Sequence, residues 1–301
     1  MGKQKTIKKS FTLSGKGLHT GLDVEIVFHP APENHGYKIR RVDIEEEPII
    51  EALAENVDTT NRGTVLKSND VIVSTVEHAL SALYAMGIDN CLIDVNAPEF
   101  PIMDGSAKFY VEAIQKVGVE EQLEDKEYLI VRERIEYKNE KTGSSIVLLP
   151  DDEFSVLCLI EFDSKVLPNQ YAVLNNLEDY PSEIASSRTF VFVREIKPLL
   201  ENNLIKGGDL DNAVVIYDEE ISQKELDDLA KTLNQPTREA TQLGYISNQS
   251  LVFDNEPARH KILDILGDLS LIGKPIKGKV IATRPGHFVN TELAKKIRKS
   301  I

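Results

Sequence analysis

Two short segments of this 301-residue chain carry side chains that together could hold a reactive metal ion. They are residues 74–78 (STVEH) and residues 260–264 (HKILD). These segments offer two imidazoles, one carboxylate ligand and one further carboxylate. A zinc ion bound by two histidines and a carboxylate can activate water, and a neighbouring carboxylate can accept the proton. The types and spacing of these residues therefore predict metal-assisted hydrolysis.

The second segment belongs to a predicted helix over residues 257–272. At about 100° per residue, His260, Asp264 and Asp268 lie within about 80° of one another, one turn apart. Apolar residues occupy the other side and predict packing there: Ile262, Ile265, Leu266 and Leu269. A His/Asp pair at i,i+4 can bind one metal ion. The same pattern also occurs on ordinary solvated helix faces, so this helix alone leaves both alternatives open.

The first segment begins a predicted helix over residues 74–86. Ser74 followed by Glu77 fits a capping box, and Gly87 is a plausible stop. Glu77 could therefore serve only as a capping residue, and His78 could be a satisfied core histidine. Their adjacency favours chemistry, because a metal ligand and a base must lie within reach of one water molecule.

A third histidine follows a predicted strand near the C-terminus. Pro285 and Gly286 predict that His287 lies on an exposed loop, where a histidine commonly has no special role. Near a metal, a protonated imidazole can stabilise an oxyanion or protonate a leaving amine. Asp268 could orient His287 and raise its pKa.

The composition limits the class of protein. A hydrophobic fraction of 41% and a charged fraction of 28% are typical of a soluble globular chain. The formal charge of −14 argues against nucleic-acid partners. The sequence has no signal-peptide pattern and no apolar stretch of membrane-spanning length, which together predict no integral membrane segment and a cytoplasmic protein. Cys91 and Cys158, in apolar strand-like runs, are predicted to be buried free thiols.

The order of predicted elements repeats along the chain. Strands, a histidine-bearing helix, a strand and a second helix occur in both halves, which predicts an α+β protein. The polar, acidic residues 119–126 are predicted to form a linker between the halves. Residues 197–211 are predicted to be an insertion. The glycine-rich residues 15–21 lack the spacing of a P-loop. They therefore give only a weak indication of phosphate binding.

Several motifs, taken in order, resemble one family closely. They are residues 15–21 (GKGLHTG), 74–78 (STVEH), 101–106 (PIMDGS), 187–190 (SRTF), 207–213 (GGDLDNA), 259–269 (RHKILDILGDL), and Gly286-His287 with Asn290. The family is UDP-3-O-acyl-N-acetylglucosamine deacetylase, the zinc amidase of lipid A synthesis. The resemblance covers nearly the whole chain.

The resemblance implies two similar α+β domains, each a layered sheet-and-helix unit, with helices packed between the sheets. It places the active site at the domain junction. We expect residues 1–124 to supply Glu77 and His78, and residues 125–301 to supply His260, Asp264 and His287. An insertion at about 197–215 is expected to form an apolar passage for the acyl chain, although Asp209 stands where a small residue is expected.

Residue roles carried over from the family fall on matching positions. His78, His260 and Asp264 resemble the zinc ligands, with Fe2+ as another possible metal. Four residues are expected to act in catalysis: Glu77 as general base, His287 with its partner Asp268, and Thr189 at the amide carbonyl. Phe190 and Lys261 resemble family residues that bind the substrate. Gly208, Arg188 and Lys206 are expected to bind substrate as well, although for Arg188 and Lys206 an ordinary surface charge is an equally good alternative. Among these, Arg188, Lys206 and Lys261 are candidates for the diphosphate.

The expected reaction is hydrolysis of the acetamide of a UDP-linked acylated amino sugar. A hydroxyacyl dehydratase domain fused beyond residue 301 is a further expectation from the family. Two alternatives stay open on the sequence: a mononuclear iron oxygenase, which also uses two histidines and a carboxylate, and a non-catalytic binding protein. Glu77, which is adjacent to His78, and the further histidine His287 argue against both alternatives.

Overall fold

The computed structural model describes residues 2–233 and 235–301. The first half of the chain forms ten strands and two α-helices. They are β1 (Lys3–Ile7), β2 (Phe11–Lys16), β3 (Asp23–Pro30), β4 (Tyr37–Arg41), β5 (Ile49–Glu51), β6 (Val57–Thr59), β7 (Val65–Ser68), β8 (Val71–Val73), α1 (Glu77–Ala85), β9 (Cys91–Val95), α2 (Lys108–Val117) and β10 (Val119–Asp125).

The described residues of the second half form nine strands and five α-helices. They are β11 (Leu129–Ile130), β12 (Ile135–Asn139), β13 (Ser144–Leu149), β14 (Phe154–Ile160), β15 (Gln170–Leu174), α3 (Tyr180–Glu183), β16 (Phe190–Phe192), α4 (Val193–Glu201), β17 (Val214–Tyr217), α5 (Gln223–Thr232), β18 (Gly244–Ile246), α6 (Glu256–Ser270), β19 (Ile276–Thr283) and α7 (His287–Arg298).

The two halves share one sheet topology. The first sheet has the order β2-β3-β9-β4-β5, and the second has β12-β13-β19-β14-β15, with β11 added beside β19. In both, the central strand pairs parallel with one neighbour (β4 with β9, β14 with β19), and the other pairs along this order are antiparallel. A long helix precedes each central strand and another follows it. This repeat confirms the predicted α+β fold with two similar sheet-and-helix units.

Alternating side chains explain why these strands are buried on one face. Val24, Ile26 and Phe28 of β3 are buried, while the alternating residues Asp23 and Glu25 are exposed. This period of two matches the pleat of a half-buried strand. The helices α1 and α6 pack against each other, and one apolar core runs through both halves. Cys91 and Cys158 lie in this core as free thiols, as predicted.

The predicted linker over residues 119–126 is wrong in its local structure. Most of it forms β10, which pairs antiparallel with β1 in a separate two-stranded sheet. Its acidic side chains are exposed. A polar, acidic run of this kind is typical of a loop, which is why the sequence predicted a linker here. The division at 124 and 125 stays a prediction.

The predicted insertion is larger than residues 197–215. A small unit, made of the described residues of 190–246, contains α4, α5 and the sheet β16-β17-β18. It has its own apolar cluster of buried side chains: Val193, Ile196, Leu210, Val215, Tyr217 and Leu226. Within the residues that the structure describes, no helix is both long enough and apolar enough to cross a membrane.

Candidate active site

The helices α1 and α6 meet through a glycine. A Cβ atom added to Gly267 would lie 2.2 Å from the backbone oxygen of Glu77, far inside van der Waals contact. Only glycine permits so close an approach of the two helices. This contact brings the first turn of α1, with Glu77 and His78, against the polar face of α6.

His78, His260 and Asp264 form a buried cluster at this contact. One ligand atom from each lies within 4.8 Å of the other two. His260 and Asp264 are one turn apart on α6, as the sequence predicts, and His78 faces them from α1. Two imidazoles and a carboxylate are a donor set that suits zinc and also iron(II).

Two buried atoms of this cluster have no hydrogen-bond partner. They are Nδ1 of His78 and Oδ1 of Asp264. The latter lies 3.3 Å from Nε2 of His260 without forming a hydrogen bond. His260 donates Nδ1–H to the backbone oxygen of Ser187 at 3.0 Å, which leaves its Nε2 as a free electron pair. An unsatisfied buried polar atom costs about 1–3 kcal/mol, so this arrangement fits a bound cation.

The protonation states of the cluster also suit a metal. Burial, helped by neighbouring His260, lowers the pKa of His78 to about 3. Burial lowers the pKa of His260 as well. Burial would raise the pKa of Asp264, but Lys261 and His260 outweigh it and hold that pKa well below its usual range. All three donors are therefore deprotonated at neutral pH, which metal binding requires.

Glu77 is a buried carboxylic acid beside the cluster. One oxygen, Oε2, accepts a hydrogen bond from the backbone N–H of Thr64 at 3.1 Å. The other, Oε1, lies 3.7 Å from Nε2 of His287. Burial raises the pKa of Glu77 to about 7, with His287 acting against the rise and Asp268 and Asp264 adding to it. A carboxyl group with this pKa can accept and release a proton near neutrality.

The predicted capping box of α1 is wrong. The Ser74 hydroxyl donates instead to the backbone oxygen of Pro98, and the helix begins only at Glu77. Glu77 is therefore free of the capping role that the sequence suggested. The predicted stop is confirmed, since Gly87 follows the last turn with a φ of 71°.

His287 does not lie on a loop, so that prediction is wrong. It is the first residue of α7, and its side chain is only 13% exposed. Its Nδ1–H donates to Oδ2 of Asp268 at 2.9 Å. Burial by itself lowers the pKa of His287, but the carboxylates of Asp268, Asp264 and Glu77 prevail and raise it to about 10. The imidazole is therefore a cation at neutral pH.

Asp268 is held by two further residues. Thr64 Oγ1 donates to its Oδ1 at 2.5 Å, and Asn290 Nδ2 donates to its Oδ2 at 2.9 Å. Sequence reasoning gave Thr64 no role, although this residue contacts both Glu77 and Asp268. It follows a turn-like Asn61-Arg62-Gly63 stretch, and no local pattern in the sequence points to these partners.

Lys261 connects the cluster to the small unit. Its ammonium group donates to Oδ2 of Asp264 at 2.6 Å and lies 5.3 Å from the ring centroid of Phe190. Burial lowers the pKa of Lys261, but Asp264 outweighs this and raises it. A fixed cation thus lies where the metal cluster meets an aromatic ring.

An apolar cavity of about 110 Å3 opens beside this ring. Thr189, Phe190 and Gly208 line it, together with apolar side chains of the small unit: Val191, Ile196, Leu199, Ile205, Leu210, Ala213, Val215 and Leu233. Thr189 lies two residues after Ser187, whose carbonyl oxygen accepts a hydrogen bond from His260. Three of the predicted substrate-binding and catalytic residues therefore share this cavity.

The glycine-rich residues 15–21 support the small unit. A Cβ on Gly207 would lie 2.3 Å from the backbone oxygen of Gly17, so the two backbones touch. The backbone N–H groups of His19 and Thr20 donate to the buried carboxylate of Glu99. That carboxylate occupies the donors that an anionic ligand would use. Lys206 is exposed at this contact, and its predicted role in substrate binding stays a prediction.

Arg188 is held by protein partners, and its predicted role at a diphosphate stays a prediction. Its guanidinium donates to both oxygens of Glu256 at 2.8 Å and 3.1 Å, and also to Ser247 and Ser250. The side chains of Arg188 and Glu256 are 4% and 0% exposed. The arginine is therefore a buried structural residue that ties the β16 end of the small unit to α6.

Known proteins resemble this chain over nearly its whole length. The chain matches the family described as "LpxC: UDP-3-O-acyl N-acetylglycosamine deacetylase" over residues 4–229 and 240–299. A bifunctional enzyme LpxC/FabZ from Bacteroides thetaiotaomicron is 59% identical over 301 residues, all of this chain and 65% of that protein. The corresponding protein of Porphyromonas gingivalis is 58% identical with the same coverage.

A relative with a single activity in its name is also similar. The UDP-3-O-acyl-N-acetylglucosamine deacetylase of Myxococcus xanthus is 37% identical over 295 residues, which are 98% of this chain and 86% of that protein. The chain spans about 65% of the length of the bifunctional relatives. The matched family, the relatives and the buried cluster agree, and the chain belongs to the family of LpxC deacetylases.

Proposed function

We propose that this chain hydrolyses the acetamide of a UDP-3-O-acyl-N-acetylglucosamine and releases acetate, as a step of lipid A biosynthesis. The observation that supports this most is the buried set of His78, His260 and Asp264 with Glu77 and His287 beside it. A binding protein has no need of a carboxyl group with a pKa near 7 facing an imidazolium.

The metal in this proposal is zinc, held by His78, His260 and Asp264. Bound zinc supplies Lewis acidity, which polarises a carbonyl and lowers the pKa of water to about 7. Iron(II) accepts the same donors. Direct metal analysis is therefore needed to distinguish zinc from iron in this site.

The residues around the cluster carry the proton steps. Glu77 accepts the proton of the attacking water, because its pKa lies near neutrality. The His287 imidazolium stabilises the oxyanion that develops on the carbonyl and then protonates the departing amine. Asp268 holds the ring in position through Nδ1. Thr189 contributes its hydroxyl to the same carbonyl, as the family resemblance implies.

The rest of the substrate has neighbouring partners. Phe190 and Lys261 meet the sugar and its diphosphate, and Lys206 adds a second cation at the edge of the small unit. The acyl chain enters the apolar cavity that Phe190 and Gly208 line. The two bifunctional relatives support the further proposal that the whole protein also carries a hydroxyacyl dehydratase domain.

The test combines metal content with acetate release. The unmodified chain should bind one equivalent of zinc and release acetate from the UDP sugar. His78→Ala should lose both properties, whereas the matched control His29→Ala, whose ring bonds Ser10 and Asp94 far from the cluster, should keep both. Full turnover by a chelator-treated, metal-free sample would reject the proposed chemistry. Metal-dependent oxygen uptake without acetate release would instead favour an iron oxygenase.

A further inference from the structure

A second apolar cavity lies behind the first in the small unit. Its volume is about 250 Å3, and its apolar lining includes Val193, Leu226, Leu229, Pro236 and Ile246. Five residues line both cavities: Ile196, Leu210, Val215, Leu233 and Gln235. The two cavities therefore adjoin each other along these shared side chains.

The two cavities follow one another away from the metal cluster. The first is lined by Thr189 and Phe190, and the Phe190 ring faces the Lys261 ammonium that holds Asp264. The second has none of these residues in its wall and lies beneath α5. In the substrate of the proposed reaction the acyl chain is attached to O3 of the sugar, next to the reacting acetamide. An acyl chain that runs through the first cavity would reach the second at its far end.

Part of the wall of this second cavity lies outside the family match. The family match stops at residue 229 and resumes at residue 240. Six described residues of the unmatched segment line the cavities: Ala230, Leu233, Gln235, Pro236, Thr237 and Arg238. Leu233 lies at the shared wall, is half-buried and packs on the apolar cluster of the small unit.

We propose that the described residues of segment 230–239 set the acyl-chain length that this enzyme accepts, with Leu233 as the boundary. The second cavity then takes the distal end of a long acyl chain. This inference rests on the proposed function and adds the specificity of the same site. The occupant is an alkyl chain, since the shared wall is apolar except for Gln235 and continues an apolar cavity.

The size of the effect follows from apolar burial. Each methylene moved from water into an apolar cavity strengthens binding by roughly fourfold. Chains that reach past Leu233 should therefore gain by about this factor per carbon in the unmodified protein. Leu233→Trp should fill the space at this boundary and remove the gain in affinity. Leu233→Ala should widen the boundary and move the optimal acyl length towards longer chains.

The experiment measures kcat/KM and Kd for UDP-3-O-acyl-N-acetylglucosamines of graded acyl length. Leu233→Trp should match the unmodified chain on the shortest acyl group and fall behind by about fourfold per added carbon on the longest. Leu233→Ala should shift the optimum in the opposite direction. Leu123→Trp, at a position 85% exposed on β10, is the control for an added indole and should leave the length profile unchanged.

The outcomes separate the two proposals. Acetate release with the same length profile in the unmodified, Leu233→Trp and Leu233→Ala chains would overturn the role of the described residues of segment 230–239 and leave the deacetylase in place. Length-dependent binding that moves with Leu233 but without acetate release would overturn the proposed reaction and retain the acyl cavity. If Leu233→Trp loses activity on all substrates, the Leu233→Ala profile decides.

Discussion

Nδ1 of His287 lies 2.9 Å from Oδ2 of Asp268, although α7 and α6 are separate helices joined through β19. Asp268 itself is fully buried, and its carboxylate accepts further hydrogen bonds from Thr64 and Asn290. This contact fixes the ring so that Nε2 points towards Glu77 and Asp264, at 3.7 Å and 4.0 Å. A buried cation is thus aimed at the candidate metal cluster.

This contact predicts a histidine with a high pKa. In the metal-free protein, the His287 imidazole should titrate near pH 10 instead of its ordinary 6.5. An NMR titration of the ring protons would measure this pKa. Since the folded pKa is raised, this contribution to stability is complete below pH 6.5 and is lost as the pH rises through about 10. Asp268→Asn should lower the His287 pKa.

A matched control exists in the first half of the chain. Asp94 contacts His29 at 2.9 Å, as Asp268 contacts His287. Asp94→Asn should leave the His287 titration unchanged. A His287 pKa that responds equally to both substitutions, or to neither, would contradict the assigned partner.

Glu77 should be required for turnover and not for metal binding. Glu77→Gln removes the proton acceptor while keeping the size of the side chain, and kcat should fall by about 10²–10⁴-fold. Metal content, measured on the same preparation, should stay at the unmodified level, because His78, His260 and Asp264 are intact. Near-normal kcat with bound metal would show that another group accepts the proton.

The buried pair of Arg188 and Glu256 should govern stability. Glu256→Gln leaves the Arg188 guanidinium without its charged partner, and breaking such a buried pair costs about 3–5 kcal/mol of the free energy of unfolding. Denaturant titration measures this loss. Asp23→Asn, in the exposed pair with Lys16, should cost less than about 1 kcal/mol. A large increase in KM at unchanged stability would instead support a direct role of Arg188 in substrate binding.

The glycine between α1 and α6 should be needed to assemble the site. Gly267→Ala places a methyl group against the Glu77 backbone and forces the helices apart, at a cost of about 1–3 kcal/mol. Metal affinity should also fall, because His78 moves away from His260. Thermal unfolding and metal titration measure the two effects.

The control for this glycine is Gly286. Its added Cβ would meet no atom within 4 Å, and its φ of −162° is ordinary extended backbone. Gly286→Ala should therefore change the free energy of unfolding much less than Gly267→Ala does. Equal losses in the two variants would show that backbone flexibility, and not helix contact, explains the effect.

Local patterns predicted the helices well and the long-range contacts poorly. The period of α6 indicates both its packed face and the one-turn spacing of His260 and Asp264, because helix geometry depends only on neighbouring residues. The acidic run 119–126 misleads, since the strand β10 is defined by its partner β1 and not by its own composition. The loop prediction for His287 failed because Pro285 and Gly286 lie immediately before α7, whose first residue is His287 itself.

The sequence by itself determined the chemical groups, their spacing on α6 and the repeated order of elements in two halves. Only the tertiary structure decided which groups meet. It brought Thr64 to Asp268, bound Arg188 to Glu256 and set α1 against α6 through Gly267. The physical reason is that these contacts join residues far apart in the chain, and such contacts depend on how the sheets and helices pack. No local period encodes that packing.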